Sequence, residues 1–584
     1  MVLSSAQRRC RLAPARLRVQ CNPMQDAATV ARGLREIAGF LQFAQQPKFK
    51  VQAYERAAQI VETVGPELAG LVEQERLREL QGIGPALSGQ IQQLWNSGSS
   101  DFLERLRSEN PPGAGELVRV PGLTPKRIRA LSDALGIGSV EALQQACVEQ
   151  RVQAVSGFGK KTEQRLLAAC ERWLSQSAAV DPPPILLSEG LELADSLRRA
   201  LSSSTQTTSI AGALRRGRET AVELDLVALG ERAELLERLS RPRQVLRVDS
   251  ERAVAYLGGG IKIRLHPATT ADWGSKLLAA TGNDAHVAAL ESRAQQRGID
   301  LTQRAFATEA ELYQAVGLPW IPPEQREGAD ELARAESRGF DDLVELAHIQ
   351  GMVHCHTTYS DGKHSVLEMA LGAEALGMKY ITITDHSPSA HYARGVALDV
   401  LKAQWDEISA AQEQTSIRIL RGTESDILRD GSLDYPDAIL EQLDVVIASI
   451  HARHRLDAAE MTARLVRAMS LPFFKIWGHG LGRILNHRQP IECDVPAVLD
   501  ALAKAGGAVE LNADPHRLDL PPEWLPAARA RNIPFVISVD AHSTRGFGVL
   551  GYGVTMARRG GVDAREVLNA LPAAEFAAAV CPAR

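Results

Sequence analysis

Apolar and polar positions change their rhythm along this chain. Residues 27–64, through VARGLREIAGFLQF and VQAYERAAQIVETVG, repeat apolar positions with helical period and predict amphipathic helices of a small bundle. Behind them come three similar units, LQGIGPALSGQIQQL (80–94), VRVPGLTPKRIRAL (118–131) and AVSGFGKKTEQRLL (154–167). Each has an apolar residue, a glycine-containing turn and then a helical pattern. The stretch AAVDPPPILLSEG (178–190) predicts a linker, because its three prolines bar helix continuation. An α/β segment follows. From residue 348 onward the pattern becomes seven short strand-like apolar runs: MVHCHTTYSDG (352–362), KYITITDH (379–386), IRILRGTESD (417–426), VVIASIH (445–451), KIWGHG (475–480), AVELNAD (508–514) and FVISVDAH (535–542).

Six of these seven runs end in a metal-ligand-type side chain, and twelve of the 14 histidines fall between His348 and His542. A buried strand followed by a ligand, repeated around a ring, is how a parallel barrel builds a polynuclear metal site. His354 and His356 are two apart on a strand, so regular pleating predicts both imidazoles on one face. Asp361 follows in a glycine-containing loop. His386, Glu424, His451 and His479 end the next four strands, and Asp540 and His542 end the last. Cys355 is expected on the opposite strand face, and His364, His391 and His454 at the rim rather than among the ligands.

The three front units point to different chemistry. Gly82 and Gly84, Gly122, and Gly157 and Gly159 permit tight turns at helix N-termini, where free N–H groups can hold a phosphate oxygen. Lys126, Arg127, Lys160 and Lys161 flank the later turns. Such turns resemble the helix-hairpin-helix motif, which holds the DNA backbone without reading sequence. Thr124 stands where a glycine is usual, which makes the second unit the weakest.

Composition narrows the picture modestly. At 584 residues, three or four domains are expected. No apolar run approaches the roughly 18–20 residues of a membrane helix. Seven cysteines without paired spacing argue against a disulfide framework and for a reducing cytosol. Net charge is −5, but residues 1–180 carry 23 Lys/Arg against 17 Asp/Glu, net +6, leaving −11 for the remainder. A basic front suits a polyanion and an acidic back suits metal cations. The first 24 residues, with five arginines and no acid, have a composition shared by transit peptides and by sequence read ahead of a start at Met24.

The segment SIAGALRRGRETAVELDLVAL (209–229) and the signature GLPWIPPEQREG (317–328) make a more specific resemblance. From about Met24 to its end the chain resembles a bacterial family X DNA polymerase fused to a C-terminal PHP (polymerase and histidinol phosphatase) domain. The resemblance implies a multidomain α and α/β protein. An unassigned extension (1–23) precedes a lyase-like helical domain with the first helix-hairpin-helix (24–98) and a fingers-like helical domain (99–178). A palm-like nucleotidyltransferase domain (179–270), a thumb-like domain (271–340) and a distorted (β/α)7 PHP barrel (341–584) follow.

Nucleotidyl transfer requires carboxylates holding two divalent ions about 3.5–4 Å apart. The family pattern supplies Asp-x-Asp, a third Asp on a neighbouring strand, and Gly-Ser before paired arginines. Here Gly212 precedes Ala213, the pair is Glu223 and Asp225, and Lys262 takes the third position. Ala213 removes a hydroxyl donor, Glu223 is one methylene too long, and Lys262 sets an ammonium beside the cations. The palm is therefore expected to hold Mg²⁺ poorly and to be catalytically impaired, with Lys262 pairing Asp225 or Glu223 instead. Arg215, Arg216 and Arg218, with Thr281 and Gly282, remain for phosphate or DNA.

In the PHP segment the resemblance assigns His354, His356, Glu424 and Asp540 to one ion, Glu424, His451 and His479 to a second, and Asp361, His386 and His542 to a third. The mixed N/O set suits Mn²⁺, Zn²⁺ or Fe²⁺, and the family suggests Mn²⁺. Such ions lower the pKa of bound water and stabilise phosphoryl charge. Arg453 and Arg483 are expected as phosphate clamps, Arg517 as a weaker one. The implied activity is a metal-dependent 3′–5′ exonuclease in DNA repair, acting on gapped DNA or 3′ ends, monomeric and cytoplasmic. An active gap-filling polymerase with an editing nuclease, a non-catalytic DNA-end scaffold and a small-molecule phosphatase remain as alternatives.

Overall fold

The helical period of residues 27–64 folds as two helices, Ala27–Phe43 and Lys48–Val64, whose apolar stripes, including Leu34, Ile37, Phe40 and Val61, are buried. This computed structural model describes residues 27–64, 68–80, 82–118, 120, 122–178, 184–201, 207–242, 245–257, 261–452 and 456–581. The extension 1–23, Arg453 and His454 lie outside the described residues. The chain divides into two units, Met1–Asp181 and Pro182–Arg584, within the proline-rich linker.

In the first unit each of the three turns leads into a helix: Pro85–Ser97, Pro125–Leu135 and Lys160–Ala178. Gly82, Gly122 and Gly157 have φ of +99°, +93° and +88°, a region that side chains with a Cβ adopt only under strain. Between the turn positions, Ile83, Leu123 and Phe158 are buried and anchor each turn to the core, while the glycines, Lys126, Lys160 and Lys161 face solvent. The second turn differs. Thr124 Oγ1 accepts from the Arg127 N–H at 3.4 Å, and the Arg127 guanidinium donates to the Gly122 carbonyl at 2.8 Å. One free amide and one cation of that turn are thus spent internally.

The second unit contains two larger sheets. Strands β1 (Ile185–Leu186) and β3 (Thr220–Ala221) form a small antiparallel pair. Strands β2 (Thr208–Ala211), β4 (Glu223–Leu229), β5 (Val245–Asp249), β6 (Val254–Leu257) and β7 (Lys262–Ala268) form a five-stranded sheet of order β2-β4-β7-β6-β5, in which only β4 and β7 run parallel. The seven apolar runs become β8 (Gly351–Cys355), β9 (Tyr380–Ile383), β10 (Arg418–Asp426), β11 (Val445–Ser449), β12 (Ile476–Trp477), β13 (Ala508–Asn512) and β14 (Phe535–Ser538). They are parallel and neighbour one another in chain order, and nearly every residue in them is buried, as both faces of such a sheet are covered. The Val539 N–H donates to Val353 O at 3.1 Å and the Ala541 N–H to His354 O at 3.0 Å, so β14 returns to β8 and the sheet all but closes. Among the described residues no helix is long and apolar enough to cross a membrane, and Cys147, Cys170, Cys355, Cys493 and Cys581 form no disulfide.

A buried ion-pair cluster joins the first sheet to the helices after it. Glu309 accepts from both Arg215 (2.7 and 2.8 Å) and Arg326 (2.6 and 3.1 Å), and the Arg326 side chain is fully buried. Burial alone would raise the Glu309 pKa, but the two guanidinium groups outweigh it and lower it from 4.5 to about 2. A depressed carboxylate stabilises the fold above its unfolded value and loses that contribution as pH falls through its folded value. Glu309→Gln is therefore expected to cost about 3–5 kcal/mol at neutral pH, since it leaves two cations poorly compensated. In urea melts the deficit relative to the parent should shrink to about 1–2 kcal/mol near pH 3.

Candidate metal centre

All nine sequence-derived ligands converge at the C-terminal ends of the seven parallel strands. Glu424, near the end of β10, is the hub. Its Oε1 lies 2.7 Å from His479 Nε2 and 3.2 Å from His451 Nε2. Its Oε2 lies 2.9 Å from His386 Nδ1, 3.4 Å from His354 Nε2 and 3.7 Å from His356 Nε2. Asp540 Oδ1 lies 3.2 Å from His356 Nε2 and 3.6 Å from His354 Nε2. Asp361 Oδ1 lies 3.3 Å from His542 Nε2 and 3.7 Å from His386 Nε2. Three sets have ligand atoms within 4.8 Å of one another: His354, His356 and Asp540; His386, Glu424 and His451; and His356, Asp361, His386 and His542. His356 and His386 thus each stand between two sets, a sharing that the family-derived grouping did not include.

These atoms are close but poorly satisfied. His354 Nε2, both ring nitrogens of His356, His386 Nδ1 and Glu424 Oε2 are buried without a hydrogen-bond partner. Orphaned buried polar atoms are costly, and several aimed at one another fit divalent cations between them. The charges agree. Despite burial, facing imidazoles hold the Glu424 and Asp540 carboxyls well below the usual carboxylate range. Burial and the neighbouring His542 and His386 lower His356 to about 4. At His451 and His542 burial is outweighed by carboxylates, which raise them to about 10 and about 9. A bound cation would take the place of protons on His451 and His542, since a ligand imidazole must be neutral.

The placement of His354 and His356 is not the regular pleat that their spacing predicts. The β8–β9 register shifts between Met352 and Cys355, and His354 has φ +66°. Strand β8 ends at Cys355, and His356 continues beyond it, its N–H donating to the Ala541 carbonyl at 2.9 Å. His479 (φ +23°) and Asp540 (φ +48°) also occupy the left-handed region. Each such residue costs on the order of 1–3 kcal/mol and persists where its surroundings over-determine it. Three of the nine residues expected as ligands occupy this region. Cys355 is buried among apolar side chains, as a bystander.

The carboxylates that orient the imidazoles were not among the expected site residues. Glu510 lies inside the barrel on β13, fully buried, with Oε1 2.5 Å from His354 Nδ1 and 2.7 Å from Ser538 Oγ. Its other oxygen accepts from the His479 N–H. Asp426 Oδ1 lies 3.0 Å from His451 Nδ1. A carboxylate on the far nitrogen fixes tautomer and ring orientation and raises ligand basicity. Glu510→Gln is expected to weaken Mn²⁺ affinity about 10–100-fold with the nine ligands intact, measured by calorimetric titration. Asp385 performs a related task for the Asp361 loop, accepting from the Thr357 N–H (2.7 Å), Thr357 Oγ1 (2.6 Å) and Gln404 Nε2 (2.7 Å).

The expected phosphate clamps change places. Arg483 is buried and its guanidinium is committed: Nε donates to the Arg517 carbonyl at 2.8 Å, and NH2 to the Leu518 carbonyl and to Glu219 at 3.3 Å. It braces a loop against the palm, where Glu219 also accepts from Arg559 at 2.5 Å. Arg517, expected to be the weaker candidate, is the one that faces the ligands. Its Nε lies 3.6 Å from Asp540 Oδ2, and its buried NH1 has no partner. Arg453 lies outside the described residues.

In the palm the parallel register sets Glu223 beside Lys262 and Asp225 beside Arg264. The ion pairs do not follow the expected assignment. Glu223 accepts from Arg264 NH2 at 2.9 and 3.1 Å, and Asp225 Oδ1 lies 2.8 Å from His266 Nε2. Lys262 is exposed and pairs with neither among the described residues. Arg264 prevails because its longer planar fork reaches across to the neighbouring strand. Gly212 (φ +62°) is required where it stands, since a Cβ there would lie 2.1 Å from Asp225 Oδ2. The arginines expected to meet phosphate are also engaged. Arg215 holds Glu309 and Thr281 Oγ1 (2.9 Å), Arg216 holds the Thr281 carbonyl (2.6 Å) and Glu327 (3.2 Å), and Arg218 lies 3.5 Å from Glu327. They stitch the palm to the thumb-like helices.

Residues 353–513 match the family described as PHP domain, and residues 276–327 match DNA polymerase beta thumb. Residues 26–100 match a helix-hairpin-helix domain, and residues 114–172 a SAM-like helix-hairpin-helix tandem. The chain is 34% identical over 563 residues to the DNA polymerase/3′-5′ exonuclease PolX of Bacillus subtilis, covering 93% of this chain and 97% of that protein. Its C-terminal part is also similar to probable phosphatases of Caldanaerobacter subterraneus subsp. tengcongensis (32% over 165 residues) and Serratia proteamaculans (32% over 168 residues). Those matches cover 27% of this chain and 60% and 62% of the phosphatases. Kinship along nearly the whole length, rather than in one module, decides between these relatives: the chain belongs to the family X DNA polymerases that carry a C-terminal PHP domain.

Proposed function

We propose that the chain is a metal-dependent 3′–5′ exonuclease acting on DNA ends, joined to a polymerase palm that is catalytically impaired. One observation carries the reading: nine imidazoles and carboxylates meet at the barrel mouth with buried ligand atoms unpartnered. Mn²⁺ or a similar ion bound there supplies Lewis acidity toward a phosphoryl oxygen and a water of lowered pKa. The chain's own groups do the rest. Glu424 joins neighbouring ligand sets through its two oxygens. Glu510 and Asp426 hold imidazoles in one tautomer. The Arg517 NH1 group donates to a non-bridging phosphate oxygen, a charge-assisted bond of the stronger kind. The exposed glycine turns of the first and third helix-hairpin-helix units, with Lys160 and Lys161 beside the third, grip the sugar-phosphate backbone, which positions DNA without selecting sequence.

A second reading, an active gap-filling polymerase with an editing nuclease, is favoured by the name of the Bacillus subtilis relative. The pairing of Glu223 with Arg264 and of Asp225 with His266 weighs against it. End-labelled gapped DNA with Mn²⁺, with and without nucleotides, separates the two. Our reading expects the primer to shorten in both samples, and lengthening with nucleotides would overturn the palm's part of it.

A further inference from the structure

One large aromatic side chain beside the metal centre is left exposed. Tyr392 is 68% exposed, an unusual condition for a large ring, yet it is not on a loose loop. It sits in the one-turn helix His391–Ala393, inside a segment tied at both ends. The Val396 N–H donates to the His386 carbonyl at 2.8 Å, the Gly395 N–H to Ala390 at 3.1 Å, and the Tyr435 hydroxyl to the Val396 carbonyl at 2.5 Å. The Tyr392 ring meets His386 and His451 edge-on, with centroids 5.9 and 5.8 Å away at 65° and 61°. Its own ring is left largely to solvent, beside two ligand imidazoles. Arg517 stands beside Asp540 with its NH1 unpartnered, within electrostatic reach of the Tyr392 hydroxyl. An exposed aromatic ring beside the ligand imidazoles and an unpartnered guanidinium donor at the same cluster offer a face for a nucleobase and a donor for its phosphate.

We propose that Tyr392 and Arg517 form a terminal-nucleotide subsite, in which Tyr392 stacks on the nucleobase and Arg517 holds its phosphate. The inference rests on the nuclease reading and adds to it the group recognised. Stacking tolerates any base, because each has a π-face, so the subsite would distinguish a nucleotide that carries a base from one that does not. It also requires an unpaired end, since a base in a duplex is already stacked on its neighbours.

The test uses the full-length protein with Mn²⁺ and single-stranded oligonucleotides ending in a normal nucleotide or in an abasic tetrahydrofuran residue. The parent should favour the normal end about 10–100-fold in kcat/KM, mainly through KM. Tyr392→Ala should abolish that preference by slowing only the normal end, and Tyr392→Phe should restore it. An unchanged preference in Tyr392→Ala would overturn the proposal. A second readout needs no hydrolysis: the fluorescence of a 3′-terminal 2-aminopurine should be quenched by the parent and by Tyr392→Phe, but not by Tyr392→Ala. Quenching without any cleavage by the parent would sink the nuclease reading and leave the subsite standing. Equal fluorescence with all three proteins would sink the subsite.

Discussion

Glu424→Gln is expected to lower Mn²⁺-dependent cleavage of DNA 3′ ends by about 10³–10⁴-fold, a loss of about 4–5.5 kcal/mol of transition-state stabilisation. The substitution preserves shape and removes charge at the hub. One Glu424 oxygen faces His451 and His479, and the other faces His354, His356 and His386. An amide there supplies one weak acceptor and turns two N–H donors toward imidazole nitrogens that need a cation. Cation affinity and cation spacing should both suffer. The fully buried Glu424 belongs to the second unit and the exposed lysines of the turns to the first, so DNA affinity in EDTA should be unchanged. An active Glu424→Gln protein with normal metal content would remove the hub from the account.

Primer extension should stay at background in the parent and rise by on the order of 10³-fold above it with Ala213→Ser, Glu223→Asp and Lys262→Asp together. Two dications need at least two free carboxylates, and here both are covered by side chains of β7. An ammonium about 5 Å from a dication adds a repulsion between about 2 kcal/mol at water's dielectric constant and about 7 kcal/mol at an interfacial one. Solvent exposure of Lys262 favours the lower figure. The triple change shortens one acid to the length the site uses, removes the ammonium and supplies the third carboxylate. Robust extension by the parent, lost on Asp225→Ala, would contradict the impaired palm.

Much of this molecule was readable in one dimension because its signals are local. A buried parallel strand is an apolar run, and a ligand at its end interrupts that run with a His or an acid, so β8 to β12 and β14 announce both fold and centre. Glu510 escaped notice because it lies within a run, in AVELNAD, where it reads as a routine polar position. A single acid among apolar residues of a strand buried on both faces was the signal available, since an acid there must have partners. Arg483 misled for the opposite reason. It follows a ligand strand, yet its carboxylate partner, Glu219, lies 264 residues earlier, on the palm. The left-handed backbone of His354, His479 and Asp540 leaves no mark in residue type, because it is imposed by the nearly closed barrel around them. The altered palm was visible in composition, but which cation covers which acid depends on side-chain reach across β4 and β7, which no spacing encodes.

Crystals grown with Mn²⁺ and measured at the manganese absorption edge show whether cations load at the barrel mouth. Strong anomalous peaks are expected at the barrel mouth, between the ligand atoms of His354, His356, Asp361, His386, Glu424, His451, His479, Asp540 and His542. A map without peaks there, at an ion concentration that supports cleavage in solution, would contradict the metal-dependent reading.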